Sequence, residues 1–234
     1  MIALGSLAAA GLALASLDRR APPLAVRPVG QRPTLMLLTT LPLVFGEGFG
    51  LGSGGSLALT RLETRYHVQP IAVADRANLG RAHLLFAAHP LAQPAEVLVE
   101  LDRWVRGGGR LLLLADPALD WHSDRPLGDR FRPPGAFADT GLLAHWSIRL
   151  DAPDSRGPVE RIVDGYRLKL GSPGTLVGRC PIGGSGLIAR CTIGRGRVTI
   201  IADADLLDDR GVAGAAESAN LDWLVAELAA LEPR

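Results

Sequence analysis

Four consecutive leucines at positions 111–114 constrain the fold of this chain more than any other feature. The run has no polar alternation, which indicates a strand that is buried on both faces, as in the centre of a parallel sheet. An apolar helical face that includes Leu101 and Val105 precedes it, and the glycines at 107–109 end that helix. Asp116 follows where the strand should reach the carboxyl edge of the sheet. Helix, glycine turn, buried strand and acidic exit form half of a βαβ unit, so the sequence predicts an α/β domain.

The remaining apolar segments alternate between strand and helix patterns. The predicted strands lie at residues 34–43, 68–74, 83–89, 147–150, 166–170, 176–180, 187–192 and 197–201. The first predicted helix starts near Ser56, and three others span residues 94–106, 142–146 and 221–231. Pro70 indicates an outer position for the second strand, and Ser218 and Asn220 are both candidate caps of the last helix. Glycine-rich segments between the later strands are typical of hairpins. Together these patterns predict a three-layer α/β domain with a mostly parallel sheet and an antiparallel hairpin insertion.

The composition limits the number of domains and the kinds of partner. With 234 residues, of which 47% are hydrophobic, the chain is long enough for one sizeable α/β domain. Its formal net charge is +1, and only 5% of its residues are aromatic. Proteins that bind nucleic acid usually carry a basic surface or aromatic stacking platforms, so we expect no nucleic-acid partner.

The N-terminal 17 residues are apolar and uncharged, and an Asp-Arg-Arg triplet ends the run. The run is shorter than the ~20 apolar residues that span a bilayer comfortably. Three alternatives stay open: a short anchor or uncleaved signal, a cleaved export signal, and a start codon assigned at the wrong position. The two arginines favour a cytoplasmic flank, whereas export places the domain outside, so the membrane side also stays open.

These patterns divide the chain into three parts. Residues 1–20 are expected to be a hydrophobic signal or anchor, and residues 21–33, with four prolines, an extended linker. Residues 34–234 are expected to form a single α/β domain. We therefore expect a protein of the cell envelope that is either membrane-anchored or exported.

Three aspartates follow predicted strands whose carboxyl ends should lie side by side: Asp116, Asp203 and Asp205. Ligands of open α/β sheets bind at that edge, and paired carboxylates there can hold a divalent cation or act as acid and base. The competing interpretation is that each aspartate caps a helix or forms a turn. We take the three as candidate ligand-binding residues, without a catalytic or metal assignment.

Six glycines crowd residues 44–55 after the first predicted strand. Gly50, Gly52 and Gly55 match the spacing of a dinucleotide-binding loop. In such a site the glycines lie directly between a strand and a helix, so that the pyrophosphate reaches the helix N-terminus, whereas this loop begins well past the end of the strand. We therefore favour a general ligand-binding loop without a cofactor, in which Glu47, Gly52, Gly54 and Gly55 are the candidate residues.

The remaining reactive side chains do not form a recognisable catalytic set. The five histidines lack the H-E-x-x-H and H-x-x-E-H spacings. Cys180 and Cys191 lie in the hairpin region rather than at a strand-to-helix elbow. They either pack in the core or, if the domain is exported, form a disulfide.

Two segments follow a pattern known from one family. Residues 107–117 place three glycines before an apolar strand that ends in Asp-Pro, and residues 194–209 place Gly-Arg-Gly-Arg-Val before an apolar strand and Asp-Ala-Asp. Asn220 then precedes the last predicted helix. In these features residues 34–231 resemble the domain shared by gliding-motility-type ABC transporter auxiliary proteins and the intraflagellar-transport family.

The resemblance implies a flavodoxin-like or class I glutamine amidotransferase-like fold without catalytic activity. It also implies a membrane-tethered protein whose partners are the membrane or ATPase subunits of an ABC transporter, with the N-terminal run as the anchor. We therefore expect a non-catalytic accessory or ligand-binding component of a membrane ABC-type transport system. One alternative is a hydrolase or amidotransferase-like enzyme that uses the carboxylates at the sheet edge. The other is a structural scaffold in a cell-envelope complex, which predicts an exposed apolar patch.

Overall fold

The computed structural model describes residues 23–45, 55–208, 210–211 and 217–233. The strands are β1 (Thr34–Thr39), β2 (His67–Pro70), β3 (Leu84–Ala88), β4 (Arg110–Leu114), β5 (Ile148–Asp151), β6 (Val159–Val163), β7 (Tyr166–Leu170), β8 (Thr175–Gly178), β9 (Ile182–Gly183), β10 (Ile188–Ile193) and β11 (Gly196–Ile201). The helices are α1 (Leu57–Glu63), α2 (Arg76–Leu79), α3 (Ala95–Arg106), α4 (Leu142–His145) and α5 (Glu217–Leu231). Short 3-10 turns lie at Val29–Gln31 and Asp205–Leu207.

A seven-stranded sheet has the order β2-β1-β3-β4-β11-β10-β9. The first five strands in this order are parallel, and β10 and β9 continue the sheet antiparallel. Leu114 of β4 pairs with Ala88 of β3 and with Ile201 of β11, so the leucine run lies inside the sheet, as the sequence predicted. β2 lies at the edge, as Pro70 indicated. The prediction of an α/β domain with a mostly parallel sheet and additional antiparallel strands is confirmed.

Both faces of the sheet are covered by other elements. Leu112 and Leu114 belong to an apolar core that includes residues of α1, α5 and β7. Leu111 and Leu113 belong to a second core, which includes residues of α2, α3 and α4. Successive side chains of a strand point to opposite faces, so a strand between two cores needs no polar alternation.

The segment between β4 and β10 contains most of the antiparallel structure. β6 pairs with β7 and β5 pairs with β8, each as a separate two-stranded sheet. Before them, residues 117–141 form a long connection that contains no helix or strand. Its later part returns to the sheet edge, where the N–H of Phe137 donates to the carbonyl of Asp116 at 2.6 Å.

Three predicted boundaries differ from the structure by four residues, and β6, β9 and α2 were not predicted. β2 ends at Pro70 rather than at residue 74. β1 ends at Thr39 rather than at residue 43, although Leu41 and Leu43 are still buried in the core. α5 begins at Glu217, so the prediction that Ser218 or Asn220 is its N-cap is wrong. The apolar pattern alone placed the helix start four residues late, because the first turn, Glu-Ser-Ala-Asn, has no large apolar residue to give a periodic signal.

The segment before β1 is held against the domain. The N–H of Arg27 donates to the carbonyl of Thr64 at 2.9 Å, and the Arg27 guanidinium binds the Glu232 carboxylate at 2.7 and 3.0 Å. Residues 1–22, and with them the predicted signal or anchor, lie outside the described residues. Within the ranges described above, no helix is both long and apolar enough to cross a bilayer.

Candidate functional site

The sheet edge brings Asp116 and Asp203 together although 87 positions separate them in the sequence. Each lies two residues beyond a strand end, Asp116 after Leu114 and Asp203 after Ile201. Those two strand ends are paired partners in neighbouring parallel strands. The two carboxylates therefore leave the sheet side by side, as the sequence predicted.

Asp205 joins them from the 3-10 turn that follows β11. One carboxylate oxygen of each of the three aspartates lies within 4.8 Å of the others. The side chains are almost completely closed to solvent, since Asp116 and Asp203 are 0% exposed and Asp205 is 1% exposed. We call these three residues the aspartate cluster.

Asp116 uses both carboxylate oxygens to bind backbone amides. Its Oδ1 accepts from the N–H of Ala118 at 2.8 Å, which forms a turn directly after β4. Its Oδ2 accepts from the N–H of Ala204 at 2.7 Å, in the loop that follows β11. This side chain therefore holds its own turn and also links two loops at the sheet edge.

Asp203 is bound in the same way. Its Oδ1 accepts from the N–H of Leu206 at 2.8 Å, and its Oδ2 accepts from the N–H of Gly171 at 3.0 Å, just after β7. The first bond holds the 3-10 turn, and the second attaches the hairpin insertion to the sheet edge. The interpretation of these aspartates as turn formers is therefore correct, but they also converge on one another.

Asp205 is the least satisfied member of the aspartate cluster. Its Oδ2 accepts from the N–H of Asp120 at 2.9 Å. Its Oδ1 is buried and has no hydrogen-bond partner among the described residues. A buried acceptor without a partner costs free energy, so this atom is the point at which the cluster can take a further group.

His89 lies beside the cluster and had no predicted role. It follows β3 directly and is 0% exposed. Its Nε2 lies 2.8 Å from the carbonyl oxygen of Pro134, and its buried Nδ1 has no partner in the described part of the chain. Its backbone carbonyl accepts from the Oγ1 of Thr40 at 2.6 Å. The only sequence signal was its position after a buried strand, which many residue types share.

Burial governs the protonation of this region. Burial, followed by the charges of Asp116 and Asp205, raises the pKa of Asp203 well above its ordinary value. Burial and the Asp116 charge raise the pKa of Asp205 to about 7. Burial also raises the pKa of Asp116, against the backbone N–H bonds that lower it, and burial lowers the pKa of His89. Each buried group is thus pushed toward its neutral form.

The ion pairs of the described residues do not neutralise the carboxylates of the aspartate cluster. All of them involve other acids, and the nearest in sequence joins Arg156 to Asp120. Three pockets among the described residues also lie away from the aspartate cluster. One, with a volume of about 30 Å³, lies among apolar residues that include Leu38 and Phe137, and another, of about 470 Å³, lies beside Leu57 and Leu221.

The glycine-rich loop is mostly outside the described residues. Glu47, Gly52 and Gly54, and also Gly50 of the dinucleotide-type spacing, fall in the undescribed range 46–54. Gly55 is described and precedes Ser56, whose side chain caps α1 by accepting from the N–H of Leu59 at 3.1 Å. A Cβ atom on Gly55 would lie 2.4 Å from the Leu59 side chain, so this glycine allows close packing at the start of α1.

Cys180 and Cys191 form a disulfide. The sequence left this bond open as an alternative to core packing. Cys191 lies on β10, and Cys180 lies between β8 and β9. The bond therefore joins β10, an antiparallel strand of the main sheet, to the segment that connects β8 with β9. Both cysteines of the chain are used, and no free thiol is left as a nucleophile.

Comparison with protein-family models and with curated proteins finds no match. The N-terminal domain of mmIFT52 has a similar structure, with a TM-score of 0.55 and 15% identity over 83% of this chain and 97% of that one. Exo-beta-1,4-mannosidase Op5Man5 from Opitutaceae bacterium strain TAV5 matches 83% of this chain with a TM-score of 0.54 and 15% identity. A cytoplasmic protein from Salmonella typhimurium is similar over 86% of this chain and 100% of its own, with a TM-score of 0.53 and 12% identity. This chain covers only 36% of the mannosidase, and at these identities the likeness shows a shared fold alone.

Proposed function

We propose that this protein is a non-catalytic accessory or ligand-binding component of a membrane ABC-type transport system in the cell envelope. The observation that carries the non-catalytic part of the proposal is the closure of the aspartate cluster, and the transport role rests on the family that residues 107–117 and 194–209 resemble. The acids that a catalytic site at this sheet edge would use are 0–1% exposed and are occupied by backbone amides. Such a site supports the loops around it and leaves no room for a substrate to reach the carboxylates.

The strand order favours the finer fold assignment within this proposal. The parallel strands follow the order 2-1-3-4 and then the last parallel strand, which is the order of flavodoxin-like sheets. An amidotransferase-like enzyme of this shape would carry a nucleophile on the turn after a buried strand. His89 and Pro90 follow β3 here, and both cysteines are joined to each other. The similarity to the mmIFT52 N-terminal domain is in keeping with the family that the sequence resembles.

The disulfide supports the cell-envelope part of the proposal. Disulfides persist in oxidising compartments and are rare in the cytosol of most organisms. A domain that contains one is therefore expected on the outer side of the cytoplasmic membrane. Residues 1–20 would then act as the export signal or the anchor that holds the domain near the transporter.

The partners that we propose are the membrane subunit of the transporter, by direct contact, and the ATPase subunit, through the membrane subunit. The test is reciprocal purification from detergent-solubilised membranes of the native host, with a tag on the full-length chain and, separately, on the ATPase subunit. We expect each bait to recover the other in constant ratio and the complex to retain ATP hydrolysis. Recovery of the chain alone from both preparations, together with unchanged ATPase activity when the chain is absent, would overturn the proposal.

An enzyme remains the second candidate because the carboxylates converge and have raised pKa values. This alternative requires the loops to open, since a general acid must come within hydrogen-bond reach of the substrate. Replacing Asp116 by Asn removes its ionisable group without changing its size. Loss of a hydrolytic activity of the purified chain in that variant, with the fold intact, would favour the enzyme.

The scaffold alternative rests on exposed apolar side chains of the long connection. Leu127 is 89% exposed and Phe131 is 59% exposed. Replacing both by Asp would disrupt assembly if this connection faces an envelope partner, while transporter-linked ATP hydrolysis would remain. Replacing the exposed Val159 and Ile162 of β6 by Asp provides a matched control on another element.

A further inference from the structure

We propose that the aspartate cluster binds one hard divalent cation of the calcium type, which joins the loops that follow β4 and β11. The inference is independent of the transport role, since it concerns how the sheet edge is held together. It assigns a ligand to residues that the preceding argument treats only as turn formers.

The first argument is charge. Three ionised carboxylates this close cannot all stay charged in a closed site without a positive partner. The arginines and the single lysine of the described ranges form no ion pair with them. A bound cation supplies the charge that the described residues lack.

The second argument is distance. Calcium binds oxygen ligands at about 2.3–2.6 Å, so two ligands on opposite sides of the ion are separated by at most about 5 Å. One oxygen from each aspartate already lies within 4.8 Å of the others. An ion at the centre of three oxygens so placed lies at most about 2.8 Å from each, so small side-chain adjustments bring all three within the calcium range.

The third argument is the unpartnered oxygen of Asp205. Its Oδ1 is buried, belongs to a side chain that is 1% exposed, and accepts no hydrogen bond within the described part of the chain. Each ionised carboxylate offers about four lone-pair sites, so three carboxylates offer about twelve. Within the described ranges, the N–H groups of Ala118, Ala204, Gly171, Leu206 and Asp120 donate to these carboxylates, which leaves acceptor capacity for an ion.

The closure of the site favours calcium over magnesium. Magnesium usually keeps several water molecules and requires near-ideal octahedral geometry, whereas calcium accepts irregular shells made of protein oxygens. A cluster that is 0–1% exposed has little access for retained water. The oxygen-only ligand set also disfavours zinc, which binds preferentially through Cys and His.

The test uses the full chain, stripped with a chelator and then titrated with calcium chloride at neutral pH by calorimetry and thermal unfolding. We expect one calcium ion per chain and a rise of the melting temperature with calcium concentration, with magnesium chloride giving a smaller rise. If neither salt gives heat or a shift of the melting temperature in the folded, stripped chain, the site does not exist. If magnesium binds more tightly than calcium, the calcium assignment is wrong.

Asp205→Asn locates the binding. The amide oxygen can still accept from the N–H of Asp120, but the charge and one acceptor are lost, so we expect calcium affinity to fall by about 100-fold. Asp139→Asn is the control for the loss of one carboxylate, because Asp139 accepts backbone N–H bonds from Gly141 and Leu143 but is exposed and lies outside the cluster. Unchanged calcium affinity in Asp205→Asn would overturn the proposal. If that variant fails to fold, Asp203→Asn serves the same purpose, and the titration of the unmodified chain stands without either.

Discussion

The Oδ2 of Asp116 accepts a hydrogen bond from the backbone N–H of Ala204 at 2.7 Å. The bond crosses from the end of β4 to the loop after β11, and it lies in a fully buried environment. Both strands could form without this bond, but the loops that follow β4 and β11 would no longer be held at a fixed distance from each other. The stability of the sheet edge should therefore depend on this carboxylate and its neighbours.

Replacing Asp116 by Ala should destabilise the protein strongly. The change leaves the N–H groups of Ala118 and Ala204 without an acceptor in a buried region, at a cost of about 2 to 4 kcal/mol in the free energy of unfolding. Urea denaturation measures this cost. Asp116→Asn retains one acceptor and removes a buried charge, so it should lose less. Equal losses in the two variants would contradict the expectation that the one retained acceptor preserves part of the stability.

Asn220→Ala should lower the stability by a similar amount, because the Asn220 side chain joins α5 to β7 and to the 3-10 turn after β11. Its Oδ1 accepts from the N–H of Lys169 at 3.0 Å, and its Nδ2 donates to the carbonyls of Lys169 and Leu206 at 2.8 and 3.0 Å. We expect a loss of about 2 to 4 kcal/mol in chemical denaturation. Asn78→Ala is the control, since the Asn78 side-chain amide donates one bond, to Val73, and the side chain is only partly buried. A loss at Asn220 no larger than at Asn78 would contradict the bridging role.

Replacing both Cys180 and Cys191 by Ala should cost about 2 to 3 kcal/mol, because the bond closes a loop of 11 residues in the unfolded chain. Chemical denaturation of the oxidised protein and the double variant gives the difference. Titration of thiols in the denatured, unreduced protein from cells provides the companion measurement. Two free thiols per chain in that assay would contradict both the bond and the cell-envelope localisation.

Glu232 should stabilise the protein near neutral pH, and this contribution should be lost at low pH. Burial raises the pKa of this carboxyl, but hydrogen bonds from Arg27 and Tyr66 and the Arg27 charge outweigh burial, so the pKa is lowered overall. A group whose pKa is lowered in the folded state stabilises the protein above its unfolded-state pKa, which is about 4.3 for Glu. This contribution is lost as the pH falls through the folded-state pKa.

Glu232→Gln isolates this contribution. The difference in free energy of unfolding between the unmodified chain and the variant should be constant near neutral pH and shrink as the solution is acidified below the unfolded pKa. Glu63→Gln provides a control at an exposed acid near the end of α1. A difference that grows on acidification would show that the pKa of Glu232 is raised instead.

Gly196→Ala should prevent normal packing at the start of β11. A Cβ atom there would lie 2.0 Å from the carbonyl oxygen of Val105 and 2.6 Å from that of Gly109, and backbone atoms cannot move aside cheaply. We expect a loss of about 3 kcal/mol or more, measured by thermal or chemical unfolding. Gly30→Ala, with no atom within 4 Å of the added group, should be nearly neutral. Normal stability of Gly196→Ala would mean that the turn between α3 and β4 is loosely packed.

The α/β class and the order of most elements could be predicted from the sequence because these follow from local patterns. The leucine run of β4 and the apolar face of α3 are each set by residues within a few positions of one another. The same local pattern placed Asp116, Asp203 and Asp205 beyond strand ends. It could not show whether those acids face solvent. The transport role remains a prediction.

The tertiary structure decided what happens at the sheet edge. Pairing of β4 with β11 brings Asp116 within reach of Asp203 and Asp205, and this depends on strand order, which no local pattern encodes. The insertion supplies Gly171 to Asp203, and burial then raises the pKa values of the cluster. Asn220 likewise binds segments that are distant in sequence rather than its own helix. Local periodicity therefore determined the elements, whereas long-range pairing and burial determined the chemistry of the acids that follow them.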